Sequence, residues 1–409
     1  MKGIDTQLKK IEQIANKIAK DDENIQYEKY KSIFDLAIKY IKTKRILLYG
    51  GMAINDLLPA KDKIYSADIL PDIDIFSENG KKQADAIVQH FIQKGFNKNT
   101  TNYTEALHEG TYKVYIDSLQ VFDITTISKR AFKRLTENSV RGDSGIKVVN
   151  PQFLRLSLHM MMSQSHDAHR WEKVFKRLII FYKYFPPKEC LSKMALPKST
   201  AKSANNDSFT QLHYIPEELI DNVYNFLKDK DYVLFGIHEI LKYLTNYSGK
   251  GYLPANSKVA PVQIIANNNN ILDIAHNLVK YLNVHSLSIS QLYPKDEFIS
   301  NHILIKYKNH PCIEIYEAPT CMTYVEYNNH RIASIHTIIR MYLSMVLSTY
   351  DHFETENHSL ECLVNILTII QQKMSDSRKK IFQQLLSKCY GPFQGLVTLR
   401  RERAIRIKK

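Results

Sequence analysis

The stretch Ile46–Ser77 reads ILLYGGMAINDLLPAKDKIYSADILPDIDIFS. Its apolar beginning predicts a strand that ends at Gly50-Gly51, and Met52–Leu58 predicts a helix. Glycines between a strand and a helix leave backbone N–H groups free, and without a Cβ they let a phosphate approach closely. The pair belongs to neither a Walker loop nor a dinucleotide-binding G-x-G-x-x-G motif. It therefore predicts a phosphate-binding turn of another kind.

Two aspartates lie on the strand predicted over residues 72–76. Strand side chains alternate between faces, so Ile73 and Ile75 can enter a core while Asp72 and Asp74 share the opposite face. Neighbouring carboxylates repel each other unless a cation lies between them, and Mg²⁺ accepts carboxylate oxygens together with substrate phosphates. Gly-Gly alone is typical of a turn, and Asp-x-Asp alone of a solvated edge strand. In this order and spacing, they predict a metal and phosphate site.

A third carboxylate is available in Thr111–Ile127, which predicts two strands around a turn at Asp117-Ser118. Asp123 lies on the second of these strands, facing away from its apolar neighbours, and is the preferred third ligand. Asp117 is the competing candidate, although its position in a turn suits a local Asx role. Two further aspartates have loop or helix-end contexts and are weaker candidates, namely Asp56 and Asp68.

The motifs GGMAIN, LPDIDIF and VFDIT resemble those of the DNA polymerase β-type nucleotidyltransferase superfamily. Within it they are similar to the poly(A) polymerase catalytic subunits of large DNA viruses, of the poxvirus and giant-virus kind. The specific motifs cover residues 46–127, and a looser likeness extends over the chain. Many superfamily members have Gly-Ser at the glycine pair, whereas Gly51 is followed here by Met52, which leaves only backbone groups for phosphate binding.

The resemblance implies template-independent transfer of AMP from ATP to an RNA 3′-hydroxyl. It implies two Mg²⁺ or Mn²⁺ ions held by Asp72, Asp74 and Asp123, with Asp123 beside the ion that activates the 3′-hydroxyl. Gly50 and Gly51 would bind the nucleotide phosphates. Giant-virus relatives act as homodimers, which we expect here, and the implied location is a viral factory in the host cytoplasm or the virion.

Other activities remain open at this point. The same chemistry serves a CCA-adding enzyme, an oligoadenylate or cyclic-dinucleotide synthase, and a small-molecule nucleotidyltransferase. A catalytically silent RNA-binding scaffold is the alternative from a different class.

Composition agrees with a polyanionic partner, since 56 basic and 42 acidic residues give a net charge of +14 over 409 residues.

The five cysteines form no C-x-x-C pair, which predicts reduced thiols in a cytosolic compartment. The N-terminal stretch lacks an apolar core, so no signal peptide is expected. Arg340 interrupts the most apolar segment, Thr337–Leu347, so no membrane span is expected.

Two basic clusters are candidates for binding phosphates. Arg170, Lys173 and Arg177 share one face of a predicted amphipathic helix, where a triphosphate-binding role competes with an ordinary solvated face. The C-terminal sequence LVTLRRERAIRIKK holds Arg400, Arg401, Arg403 and Arg406. A solvated tail is the common interpretation of such a block, and RNA backbone binding is the alternative.

The predicted fold is a mixed α/β nucleotidyltransferase fold in two tandem modules, the second degenerate. Residues 1–186 form the predicted catalytic domain, 187–208 a linker, and 209–409 the second domain with its basic end. The pattern of the Ile46–Ser77 stretch recurs in the second half. There Gly236-Ile237 replaces the glycine pair, while Pro261 and Gln263 replace Asp72 and Asp74.

Overall fold

The computed structural model describes residues 28–44, 46–66, 69–186, 215–228, 230–236, 238–240, 261–267, 271–294, 297–327, 329–348, 388–393 and 395–408. Their contacts divide the chain into two compact units. The first comprises Met1–Asn150 with Leu396–Lys409, and the second comprises Pro151–Gly395.

This division differs from the domain limits expected from the sequence. It assigns the two helices after Asn150 to the second unit and the C-terminal helix to the first. The expected linker at 187–208 lies outside the described residues. The three-part division by sequence therefore stays a prediction.

The first unit alternates helices and strands, as the sequence pattern indicates. A helix covers residues 28–44 (α1) and leads towards the first strand. The remaining elements are β1 Leu47–Leu48, α2 Gly50–Leu57, β2 Ile73–Ser77, α3 Gly80–Gln93, β3 Asn102–Glu105, β4 Thr111–Ile116, β5 Leu119–Thr126, α4 Lys129–Glu137, β6 Val140–Arg141, β7 Lys147–Val148 and the C-terminal helix α10 Leu396–Lys408.

The described strands of this unit form one mixed sheet in the order β3-β4-β5-β2-β1-β7-β6. Strand β2 pairs antiparallel with β1 and parallel with β5. Alternate residues of β2 and β5 are fully buried and pack in the core, among them Ile73, Ile75, Phe122 and Ile124. The polar residues between them consequently face the other side of the sheet, which positions the candidate site.

The second unit repeats this alternation after two leading helices. Its elements are α5 Pro151–Met162, α6 Trp171–Tyr184, α7 Glu217–Leu227, β8 Val233–Leu234, β9 Val262–Ala266, α8 Ile271–Leu282, β10 Leu287–Leu292, β11 His302–Tyr307, β12 His310–Glu317, β13 Met322–Tyr327, β14 His330–Ala333, α9 Ile335–Leu347 and β15 Lys388–Tyr390.

The described strands of the second unit run in the order β10-β11-β12-β9-β8-β14-β13-β15, which matches the first sheet strand for strand apart from the added β15. The directions match as well: β9 pairs antiparallel with β8 and parallel with β12. A shared order and shared directions support the predicted duplication. The predicted mixed α/β fold is thus confirmed, with two mixed sheets.

The most apolar segment of the chain is the buried helix α9, every residue of which is shielded from solvent. Its one cation, Arg340, donates hydrogen bonds to the hydroxyls of Ser163 (3.2 Å) and Thr320 (3.1 Å). Within the described residues, no helix combines the length and apolar character needed to cross a bilayer. This segment is therefore the core helix of the second unit.

Two cysteines of the second unit are close neighbours. Cys321 and Cys389 meet across the β13–β15 pair with their Cα atoms 5.4 Å apart, a separation that a disulfide can span. The expectation of reduced thiols stays a prediction. Cys312 is a free thiol, and burial raises its pKa to about 12.

A buried histidine pair joins three helices of the second unit. The Nδ1 atoms of His159 (α5) and His336 (α9) lie 3.1 Å apart, and His159 Nε2 lies 2.7 Å from the Tyr182 hydroxyl on α6. Burial lowers the pKa of His336 to about 3 and holds the pKa of His159 well below its ordinary value. Both rings are therefore neutral in the folded protein near neutral pH.

We expect this pair to make the fold sensitive to acid. Because each folded pKa lies below the unfolded value of about 6.5, the stabilisation is complete above pH 6.5 and is lost as the pH falls towards 3. The limiting loss is about 1.4 kcal/mol per pH unit for each histidine. Urea unfolding at pH 7 and pH 5 measures this loss of unfolding free energy. His336→Asn should reduce the pH dependence, while His276→Asn at an exposed position on α8 should not; equal slopes for both variants would contradict the assignment.

Candidate active site

The sheet register of the first unit places Asp74 directly beside Asp123. The two residues are Cα partners in the parallel β2–β5 pair, one strand spacing apart, or roughly 4.8 Å. Both side chains are half-buried, and Asp72, just before β2, is exposed. The tertiary structure thus brings Asp74 and Asp123 together on one face, with Asp72 two residues before Asp74 and just outside the strand.

Gly50 lies against the Asp74 carboxylate. Its φ of +73° falls in the left-handed region, and a Cβ built there would overlap the carboxylate and lie 2.9 Å from Asp74 Cβ. The preceding residue, Tyr49, donates its backbone N–H to the Asp74 carbonyl oxygen at 3.0 Å. Gly50 and Gly51 open helix α2, whose first N–H groups have no partners within the helix. The Asp74 carboxylate occupies the space that a Cβ of residue 50 would fill, and phosphate binding by the glycine pair stays a prediction.

Tyr49 forms part of the same site, although the sequence analysis missed it. Its ring stacks on Phe76 with centroids 3.8 Å apart, and its hydroxyl shares a 2.7 Å hydrogen bond with Thr125. Burial, and then the negative charge of Asp74, raise the pKa of Tyr49 above its ordinary value. The phenol therefore stays neutral and holds β1, β2 and β5 together beneath the carboxylates.

Asp123 is held by two side chains that the sequence analysis also missed. Gln120 Nε2 donates to Asp123 Oδ1 at 3.0 Å, and Lys113 Nζ lies 3.5 Å from Asp123 Oδ2. Burial raises the pKa of Asp123; the Lys113 ammonium opposes this shift and the Asp72 carboxylate adds to it. The alternation within TYKVYI is the sequence signal that could have revealed Lys113, because Lys113 is the charged residue of β4 and stands opposite Asp123.

The competing carboxylates lie elsewhere in the unit. Asp117 and Ser118 form the β4–β5 turn with positive φ, and Asp117 accepts a hydrogen bond from Thr100 Oγ1 (2.9 Å) and pairs with Lys29 (2.5 Å). Asp56 is buried and accepts hydrogen bonds from the backbone N–H (3.0 Å) and the hydroxyl (2.7 Å) of Ser144. Asp117 and Asp56 therefore stabilise turns, and Asp68 lies outside the described residues.

The donor set fits a magnesium-type ion in its chemistry. Asp74 and Asp123 on the β2–β5 pair, with Asp72 just before β2, supply the oxygen ligands that Mg²⁺ and Mn²⁺ prefer, and the absence of a Cβ at Gly50 leaves room for the Asp74 carboxylate. Among the residues that the structure describes, no three ligand side chains already converge on one point. The carboxylates share a face, while Asp123 is turned towards Gln120 and Lys113.

At the positions that correspond to Asp74 and Asp123, the second unit has a buried glutamine and a buried glutamate. Gln263 lies opposite Glu314 in the β9–β12 pair, as Asp74 lies opposite Asp123. Gln263 Nε2 donates to Glu314 Oε2 (2.8 Å), Tyr316 donates to the same oxygen (2.8 Å), and Tyr342 donates to Gln263 Oε1 (2.9 Å). Because Gln263 and Glu314 are buried in this network, the second unit has a closed polar cluster there.

The three basic residues Arg170, Lys173 and Arg177 belong to the second unit. Arg170 ends the 3₁₀ segment Ser165–Arg170, and the other two lie on α6. Arg170 and Lys173 are exposed, and Arg177 is half-buried, while Val174 and Leu178 of the same helix are buried. The predicted amphipathic helix is present, and triphosphate binding by these cations stays a prediction.

The C-terminal arginines lie on helix α10, and two of them contact the edge strand β3 of the same unit. Arg403 Nε donates to the Glu105 carbonyl oxygen (2.7 Å), and Arg406 donates to Glu105 Oε1 (3.2 Å) and the Leu107 carbonyl (3.0 Å). Arg400 and Arg401 are exposed. The sequence treated the four arginines alike, whereas the helix separates a docked pair from a solvent-facing pair.

Gly50→Ala should destabilise the first unit more than Gly95→Ala. Both glycines have positive φ, but a Cβ at Gly95 meets no atom within 4 Å, whereas one at Gly50 overlaps Asp74. Backbone strain alone costs about 1–2 kcal/mol, and the overlap adds roughly 1–3 kcal/mol. Thermal and urea unfolding of both variants measure the difference. Equal losses would mean that Gly50 and Asp74 are not in close contact.

Part of the chain is similar in sequence to a known family. Residues 35–168 match the family model described as the poly(A) polymerase catalytic subunit. A candidate poly(A) polymerase catalytic subunit of Acanthamoeba polyphaga mimivirus is 23% identical over 313 residues, or 71% of this chain and 51% of that protein. A corresponding protein of African swine fever virus (isolate Pig/Kenya/KEN-50/1950) is 26% identical over 164 residues, 38% of this chain and 34% of that protein. This chain therefore spans about half the length of the mimivirus relative.

The fold has a solved counterpart. The crystal structure of the Megavirus polyadenylate synthase aligns with a TM-score of 0.70 at 17% sequence identity, covering 92% of this chain and 77% of that one. The resemblance drawn from the motifs is therefore confirmed: residues 35–168 carry the sequence pattern of the poly(A) polymerase catalytic subunit family, on the fold of the Megavirus polyadenylate synthase.

Proposed function

We propose that this protein is a template-independent polynucleotide adenylyltransferase that adds AMP from ATP to RNA 3′ ends. The observation that carries the proposal is the register of Asp74 beside Asp123 with Gly50 against Asp74. All three residues lie within the segment that matches the poly(A) polymerase catalytic subunit family. A strand pair that holds two carboxylates on an open face next to a helix N-terminus is suited to nucleotidyl transfer.

Asp72, Asp74 and Asp123 would hold two Mg²⁺ or Mn²⁺ ions. When bound, the ions supply charge stabilisation of the attacking and leaving oxygens in an in-line displacement. In this proposal, Asp123 would also accept the proton of the 3′-hydroxyl. Gly50 and Gly51 offer backbone N–H groups to the nucleotide phosphates.

The remaining parts of the proposal concern partners. Arg170, Lys173 and Arg177 are assigned to the triphosphate. The net charge of +14 and the two exposed arginines of α10 support an RNA partner. A homodimer in the host cytoplasm or the virion completes the proposal, on the strength of the viral resemblance.

The decisive experiment incubates the protein with a short end-labelled RNA, Mg²⁺ or Mn²⁺, and each NTP singly. A ladder with ATP and little extension with the other nucleotides is the expected result. Asp72→Ala, Asp74→Ala and Asp123→Ala should each lower the rate by roughly 10³-fold or more, because each removes a metal ligand. Asp117→Ala is the matched control in the β4–β5 turn and should retain extension.

Retention of extension in Asp123→Ala, or its loss in a folded Asp117→Ala, would reassign the third carboxylate. Products formed from ATP without any RNA acceptor would replace this activity with an oligoadenylate or cyclic-dinucleotide synthase. Circular dichroism of each variant establishes that it is folded.

The two arginine pairs of α10 should have separable effects. Arg400→Ala/Arg401→Ala should weaken RNA binding and flatten the slope of log affinity against log salt by about 1.4, at roughly 0.7 per phosphate contact on a single strand. Arg403→Ala/Arg406→Ala should instead lower the melting temperature, because it removes the docking bonds to Glu105 and Leu107. RNA binding at several salt concentrations, with melting curves of both variants, distinguishes them. An unchanged salt slope in the first variant would place the RNA path elsewhere.

A further inference from the structure

Lys113 is the cation nearest to Asp123 in the contacts described above, and the strand pairing determines its position. It stands opposite Asp123 in the antiparallel β4–β5 pair, so both side chains leave the sheet on the same face. Its ammonium lies 3.5 Å from Asp123 Oδ2, and both side chains are partly shielded from water. At this distance and burial an ion pair is stronger than an exposed one, because less solvent screens it.

A β-bulge adds Gln120 to this pair. In a regular strand, Gln120 and Asp123 would face opposite sides, since they are three positions apart. The register shifts between Val114 and Tyr115, so that Val114 pairs with Phe122 and Tyr115 pairs with Gln120. The extra residue turns Gln120 to the face of Asp123. Gln120 then donates to Asp123 Oδ1 (3.0 Å) and accepts from Lys113 Nζ (3.1 Å).

The result is a closed triangle of Lys113, Gln120 and Asp123 at the edge of the carboxylate face. One Asp123 oxygen faces the amide and the other faces the ammonium. An ion that uses Asp123 as a ligand must therefore take the place of a cation that is already there. This agrees with the finding that no three ligand side chains converge within the described part of the chain.

We propose that Lys113 is the built-in counter-ion of the Asp72, Asp74 and Asp123 face, and that a divalent ion must displace it from Asp123 in order to bind. The inference rests on the proposed function for the existence of the metal site. Lys113 is thereby a positioning residue that sets the affinity for the ion. It also favours divalent over monovalent ions, because exchanging an ammonium for K⁺ brings no gain in charge whereas Mg²⁺ or Mn²⁺ does.

The test measures Mn²⁺ binding to the full chain without nucleotide, from the electron paramagnetic resonance signal of free Mn²⁺ at a fixed KCl concentration. Lys113→Met should bind Mn²⁺ about tenfold more tightly or better, a change equivalent to about 1.4 kcal/mol. In EDTA the same variant should melt at a lower temperature than the wild type, because the carboxylates lose their counter-ion. Lys113→Arg keeps the charge and should restore affinity and melting temperature towards wild-type values.

The matched control is Lys133→Met. Lys133 is an exposed lysine of the same unit that pairs with Glu137 at 3.7 Å, away from the carboxylate face. It should leave the Mn²⁺ affinity unchanged. Should Lys113→Met fold poorly by circular dichroism, Lys113→Gln provides the neutral variant with a side chain that can still bond to Gln120.

Two outcomes overturn the proposal in distinguishable ways. Unchanged or weaker Mn²⁺ binding in the neutral Lys113 variants, with binding abolished in Asp74→Asn, refutes the counter-ion role and leaves the metal site intact. Equal Mn²⁺ binding in the wild type and in Asp74→Asn refutes the metal site itself, and with it the proposed function.

Discussion

The β2–β5 register that places Asp74 beside Asp123 is the constraint on which the candidate site of the first unit depends. Parallel pairing of β2 and β5 places the two carboxylates one strand apart, where like charges destabilise the sheet unless something neutralises them. The surrounding residues meet this constraint in different ways. Lys113 and Gln120 hold Asp123, and Gly50, which lacks a Cβ, leaves the space that the Asp74 carboxylate occupies. The Asp123 carboxylate is thus held by a neighbouring ammonium and amide.

The second unit shows what the same framework becomes without that repulsion. Its sheet has the same order and directions, and Gln263 and Glu314 occupy the register positions of Asp74 and Asp123. An amide opposite a carboxylate forms a hydrogen bond where two carboxylates repel. Tyr316 donates to the same Glu314 oxygen as the amide, and Tyr342 donates to the Gln263 amide oxygen. Buried polar groups that are fully bonded rigidify a core. The corresponding position of the second unit is therefore a buried, hydrogen-bonded structural cluster.

Helix α10 serves the first unit by covering a vulnerable edge. Strand β3 is at the end of the sheet order, and an edge strand presents unpaired carbonyl and N–H groups that invite other strands. Arg403 and Arg406 donate to the carbonyls of Glu105 and Leu107, at and just after the end of β3. The C-terminal basic block is thereby divided: Arg403 and Arg406 contact the end of β3, whereas Arg400 and Arg401 are exposed to solvent.

The sequence by itself determined the features that depend on short-range patterns. Alternation along 72–76 identified the shared face of Asp72 and Asp74, and the pattern around Asp117-Ser118 identified the hairpin that carries Asp123. The duplication was visible too, because each half repeats a strand, a glycine, and a second strand in the same order.

Only the tertiary structure decided which distant residues meet. Lys113 and Gln120 join Asp123 through strand pairing and a bulge. Tyr49 reaches Thr125 across the sheet, and Cys321 meets Cys389 only because β13 and β15 are neighbours. These contacts depend on register and on long-range pairing, for which a local pattern holds no information. The sequence therefore indicated the carboxylates, and the fold determined what neutralises them.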